Sequence, residues 1–156
     1  MRKAKPKKRI ILPDFKYQDV MVAKFINCMM LGGKKMLVAN IFYKALEIIK
    51  SKVEGENELE VFKRAIENVS PLVEVRTRRI GGANFPIPQP VREERKLTLA
   101  IRWLIKASRN RNEKSFAEKL AAELILAAKM EGAAYKMKTD AHRMAEANKA
   151  FSHFKF

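Results

Sequence analysis

Apolar residues recur every three or four positions along most of this chain, and glycine and proline mark where the recurrence stops. Met21, Val22, Phe25, Ile26 and Met29 share one face of a segment over about 19–31, with Gly32 placed as its stop. Leu37, Val38, Ile41, Phe42, Ala45, Ile48 and Ile49 form the stripe of a second, over about 34–53. A third opens on Asn57 as N-cap, with Glu60 at the capping-box position. It aligns Leu59, Phe62, Ile66 and Val69 and ends before Pro71. The fourth, about 91–109, has Glu93 and Glu94 in its first turn and Leu97, Ala100, Ile101, Leu104 and Ile105 on its stripe. A fifth starts at Ser115, with Glu118 completing the box, and runs through Phe116, Leu120, Leu124, Ala127 and Ala128 to a Gly132 cap. The last, about 133–149, turns Tyr135, Met137, Ala141, Met144 and Ala145 inward.

One stretch has a different period. Residues 73–80 begin with strand-like alternation, Gly81-Gly82 supply a two-residue turn, and 83–90 return as ANFPIPQP. Proline normally disqualifies a strand, but Pro86, Pro88 and Pro90 are spaced by two. In an antiparallel ribbon every second residue points its N–H away from the partner strand. All three prolines fit those positions, and they also stop a third strand from adding to the edge. Strands of this length reach ~26 Å, whereas a compact chain of this size has a radius of gyration of only ~15 Å. The expected architecture is an all-α core of about six helices with a protruding two-stranded antiparallel β-ribbon arm at about 73–90. A basic extension (1–18) precedes the helical domain (19–150), and an aromatic tail (151–156) follows it.

Charge sharpens this picture. Among 156 residues, 33 Lys and Arg face 17 Asp and Glu, a net +16. The apolar share, 47%, suffices for a core, and no run of apolar residues is long enough to span a membrane. The excess points to a polyanionic partner. It gathers at Arg2, Lys3, Lys5, Lys7, Lys8 and Arg9, at Lys34-Lys35 where a helix begins, and at Arg76, Arg78 and Arg79 on the arm. Further cations are Arg109, Arg111 and Lys114 in a loop, then Lys136, Lys138, Arg143, Lys149 and Lys155 near the end. Arginine offers a planar fork that suits phosphate and stacks on bases. At the second helix start, free amides and the Lys34 and Lys35 ammonium groups make a phosphate cradle, although GGKK lacks the spacing of a nucleotide-binding P-loop.

Little here suggests catalysis. His142 and His153 are the only histidines, and no metal-ligand or dinucleotide motif is present. The lone Cys28, beside the first stripe, reads as a buried structural thiol, and Trp103 as the rim of the core. Neither a cofactor nor a metal is expected.

VEVRTRRIGGANF, RWLI, RNEKS, GAAYK and HRMAEANKAF occur in this order, with PD at 13–14 and GGKK at 32–35. Together they resemble the bacterial-type ribosomal protein S seven family of the small subunit. The resemblance implies a cytoplasmic, non-enzymatic ribosomal protein that binds small-subunit ribosomal RNA as a monomer within the ribosome. It implies a primary binder that nucleates the head, the 3′ major domain of 16S rRNA, near the exit-site tRNA and the mRNA exit path. RNA-binding residues carried over are Lys3, Lys8, Arg9, Lys34, Lys35, Arg76, Arg78, Arg79, Arg95 and Arg102. Gly81 and Gly82 become an arm tip near tRNA. Lys149, Phe151, Phe154 and Phe156 become a tail facing the neighbouring ribosomal proteins S nine and S eleven. Phe15 after Pro13-Asp14, the proline-rich FPIPQP and the SHFKF ending depart from the usual family pattern. A different class of function also fits the ribbon: a DNA-architectural protein inserting its prolines into the minor groove. DNA bending and absence from ribosomal particles would distinguish it.

Overall fold

The computed structural model describes residues 9–53 and 55–154. The chain divides into two units, residues 1–39 and residues 40–156.

In the first unit, a hydrogen-bonded turn at residues 14–18 leads into α1, Val20–Met29. Asp19 caps this helix by accepting from the Met21 N–H at 2.6 Å, satisfying one of the amides that a helix start leaves unpaired. Val22, Ala23, Phe25, Ile26 and Met29 are buried, as the stripe requires. Two expectations fail here. The helix ends at Met29, because Met30 takes an extended conformation, so Gly32 lies in the turn beyond instead of capping the helix. Cys28 is exposed: it falls off the edge of the buried stripe of α1. α2, Lys35–Lys52, begins in this unit and continues into the second.

The second unit holds the rest of α2, then α3 (Glu58–Val69), β1 (Val73–Ile80), β2 (Ala83–Pro90), α4 (Glu93–Arg109), α5 (Phe116–Ala128), α6 (Gly132–Ala147) and a closing 3-10 turn (Lys149–Phe154). α3, α4 and α5 pack on one another, and α6 packs across all three. Phe42 of α2 meets Phe62 of α3 edge to face, with ring centroids 5.2 Å apart, both rings fully buried. Asn57 caps α3 through the Leu59 N–H, and Ser115 with Glu118 forms the full capping box of α5.

The arm follows the expected register. Ile80 pairs with Ala83 across Gly81-Gly82, whose positive φ angles (+57° and +91°) make the tight two-residue turn that side chains resist. Counting back from that narrow pair by twos, Arg78–Phe85, Arg76–Ile87 and Glu74–Gln89 are the hydrogen-bonded pairs. Pro86, Pro88 and Pro90 fall between them, opposite Thr77, Val75 and Val73, where no ladder donor is needed. The base of the arm is buried at Ile87 and Pro88 and rests on α6 and the closing turn, while the strand ends near the turn are exposed.

The α5–α6 junction also departs from expectation. α5 ends at Ala128; Met130 takes the left-handed conformation (φ +63°) just beyond it, and Gly132, two residues on, is also at positive φ (+90°). Gly132 instead opens α6, because a Cβ there would sit 3.0 Å from the Glu123 carboxylate. Of the residues expected inward on α6, Ala145 is buried, Tyr135, Met137 and Ala141 are half-buried and Met144 is exposed; Ala134 is buried in addition.

Several charged side chains are structural. Glu123, wholly buried on α5, accepts from the Ala134 N–H (2.8 Å) and from Arg111 Nη1 (2.9 Å). Arg111 also reaches Glu113 at 2.7 Å. That contact is the main reason the Glu113 carboxyl is held below its ordinary range and the Arg111 guanidinium above its own. One ion network thus ties the α4–α5 loop to the start of α6. Lys138 Nζ donates to the Asn68 carbonyl (2.6 Å) near the end of α3, where a cation complements the helix dipole. Asn68 in turn donates to the Ala127 and Ala128 carbonyls closing α5.

Candidate nucleic-acid interface

Four of the outward cations of the second unit fall into a pattern. Arg95, Arg102, Lys106 and Arg109 lie at i, i+7, i+11 and i+14 on α4, within one solvent-facing stripe, since seven residues nearly complete two helical turns. The stripe is the reverse side of the buried Ala100, Ile101, Leu104 and Ile105 face, so burying that face points the cations outward.

Glu74 joins this stripe to the arm. Its carboxylate, mostly buried, accepts from Arg76 Nε at 2.5 Å and from Arg95 Nε at 3.2 Å. One acid therefore orients an arginine of β1 and an arginine of α4 side by side, with both guanidiniums still about half exposed. Arg78 and Arg79 continue along β1 toward the turn, exposed and on opposite faces of the ribbon. An arginine pair held by a shared carboxylate retains unused donors for phosphate oxygens.

Other residues singled out in the sequence stand apart from this group. Arg9, Lys34 and Lys35 are exposed in the first unit. The Lys34 and Lys35 amides already donate within the Gly32–Gly33 turn, to Leu31 and Gly33 carbonyls. The turn therefore presents two ammonium groups in place of a full amide cradle. Lys149 is exposed at the start of the closing turn. Phe151 is half-buried, edge to face with Phe85 of the arm at 5.6 Å, and braces the ribbon. Lys3, Lys8 and Phe156 lie outside the described residues, as does the side chain of Phe154.

Sequence reasoning does not single out Lys106 or assign Arg109 to the α4 stripe; the i+4 and i+7 spacing from Arg102 is the available signal. Conversely, Arg111 and Lys138 read in the sequence as two more cations for a polyanion, whereas their partners hold them in structural roles. Among the described residues no group of three or more His, Cys, Asp or Glu side chains is arranged to hold a metal ion, and no helix is long and apolar enough to cross a membrane.

Residues 1–149 match the family model described as ribosomal protein S7p/S5e. This chain belongs to that family. It is 56% identical over 156 residues to the small ribosomal subunit protein uS7 of Cytophaga hutchinsonii, with both chains covered in full. The proteins of the same name from Christiangramia forsetii and Porphyromonas gingivalis are 55% and 53% identical over 158 residues, again across all of each chain. The chain is accordingly a structural, non-enzymatic constituent of the small subunit of the cytoplasmic ribosome, with ribosomal RNA as its setting.

Proposed function

We propose that this protein is a primary binder of the 3′ major domain of 16S rRNA and nucleates assembly of the small-subunit head. The observation that carries this reading is the Glu74-centred junction. It aligns Arg76 with the Arg95, Arg102, Lys106 and Arg109 stripe, so that two secondary-structure elements meet the RNA at a fixed angle. A ribbon and a helix set at an angle suit a multi-helix RNA junction, whose phosphates come from several directions, better than a single straight duplex. Arg78 and Arg79 extend the contact along the arm, while Arg9, Lys34 and Lys35 of the first unit, with Lys3 and Lys8 of the basic extension, supply further contacts.

The arm tip at Gly81-Gly82 faces the exit-site tRNA and the mRNA exit path in this reading. The bare turn admits close approach of a nucleic-acid backbone. The tail, with Lys149, Phe151, Phe154 and Phe156, faces the neighbouring proteins S nine and S eleven. Functionally the chain then divides into a basic extension (1–18), an RNA-binding body with its arm (19–150) and a contact tail (151–156).

Reconstitution of small subunits from purified rRNA and proteins tests the proposal. Omission of this chain alone is expected to leave particles lacking the head proteins, with the rest of the subunit formed. Full head assembly without it would refute the nucleating role.

A further inference from the structure

The first unit is the most basic part of the molecule and also carries several exposed large apolar side chains. Residues 1–39 hold ten Lys and Arg against two Asp, a net +8 of the whole chain's +16. Both acids serve the backbone: Asp14 accepts from the Lys16 and Tyr17 amides, and Asp19 caps α1. Among the described residues of this unit, Ile10, Leu12, Phe15, Leu31 and Met36 are more than half exposed.

Phe15 stands out because its backbone is fixed. Asp14 is buried, and its carboxylate takes the Lys16 N–H at 3.1 Å and the Tyr17 N–H at 3.2 Å. The Asp14 carbonyl accepts from the Gln18 N–H, the Asp14 N–H donates to the Asp19 carbonyl, and the Gln18 side-chain amide donates to the Phe15 carbonyl. Gln18 takes the left-handed conformation (φ +51°) that closes the turn. At its apex the Phe15 ring is 92% exposed. An aromatic ring left in water on a rigid turn, in a unit of net charge +8, offers the π-face of single-strand recognition on a strongly cationic part of the chain.

We propose that Phe15 is a base-stacking residue that receives an unpaired nucleobase of the bound RNA, with Lys16 and Arg9 on the adjoining phosphates. This rests on the RNA-binding reading above. An apolar protein partner is the competing occupant. The unit's +8 favours the polyanion, and stacking, unlike burial in a protein pocket, needs a flat ring.

The test is binding of the full chain to a transcript of the 16S rRNA 3′ major domain at several salt concentrations, with thermal melting of each variant. Phe15→Leu keeps the apolar bulk and removes the π-face. It is expected to weaken binding roughly 5- to 150-fold, with Tm and salt slope unchanged. Phe15→Tyr is expected to bind like the wild type. Equal binding by Phe15→Leu, or equal losses by Phe15→Leu and Phe15→Tyr, would overturn the stacking role while the RNA-binding reading stands. Loss together with a changed salt slope would also overturn it. Failure of the wild type to bind the transcript would remove both.

Discussion

Glu123 offers the sharpest test of how the second unit is held together. Its carboxylate is fully buried, yet it contacts the Ala134 N–H at 2.8 Å and Arg111 at 2.9 Å. Glu123→Ala leaves the buried Ala134 amide of α6 without its acceptor, which costs about 1–3 kcal/mol for a buried donor. The Arg111 pair adds less. Arg111 is a quarter exposed and keeps Glu113, so solvent screening limits this contribution to about 1 kcal/mol. The total expected loss is about 2–4 kcal/mol. Glu123→Gln keeps one carbonyl for Ala134 but turns its other end into a donor facing Arg111, so it should lose about 1–2 kcal/mol. Urea unfolding followed by circular dichroism reads both variants, and the slope should stay constant if only native contacts change. A loss below about 1 kcal/mol for Glu123→Ala would show that the network does not lock α5 to α6, and the reasoning would fail.

Three other predictions follow from individual contacts. The Leu72 N–H donates to His142 Nε2 at 3.0 Å, so His142 must be neutral for the arm's base to dock; burial first and Lys138 second lower its pKa from 6.5. The unfolded chain then takes up the proton first as pH falls. The stabilisation is complete above about pH 6.5 and is lost as pH drops through the folded-state value, so Leu72 amide exchange should accelerate on acidification in the wild type but not in His142→Gln. Gly82→Ala, at φ +91°, should fray the arm tip by about 1–2 kcal/mol in local exchange while the global Tm stays within error. Cys28 is exposed, so a colourless-to-yellow disulfide reagent should label the native protein within about tenfold of the rate in denaturant; protection of a hundredfold or more would contradict its position on α1.

Much of this molecule is legible in its sequence because two rules act locally. The prolines at 86, 88 and 90 fit only one phase of an antiparallel ribbon, and the observed register puts them there. The Phe25, Phe62, Leu104 and Leu124 stripes likewise read directly as buried faces. What is not legible depends on partners distant in sequence or on single-residue phase. Arg111 and Lys138 look like solvent cations until the fold brings Glu123 and the Asn68 carbonyl to them. Glu123 itself, alone in the apolar run LAAELILAA, is the clue to a buried acid. Gly132 does not cap α5: it opens α6 at positive φ (+90°), where a Cβ would crowd Glu123, and Met130 has already taken the left-handed conformation before it. In the candidate interface, charge clusters are visible but their alignment is not. Glu74, an acid that in the sequence merely opposes the arm's arginines, is what brings Arg76 and Arg95 together.

The proposed RNA-binding face is the α4 stripe together with the arginines at the arm's base. It is tested most directly by the salt dependence of binding to the 16S rRNA 3′ major domain. The slope of log affinity against log salt becomes shallower by about 0.7–0.9 for each phosphate that the protein no longer neutralises. A variant carrying Arg102→Ala and Lys106→Ala should bind more weakly, with a slope shallower by about 1–2 and an unchanged Tm. Wild-type affinity and slope in that variant would contradict the claim.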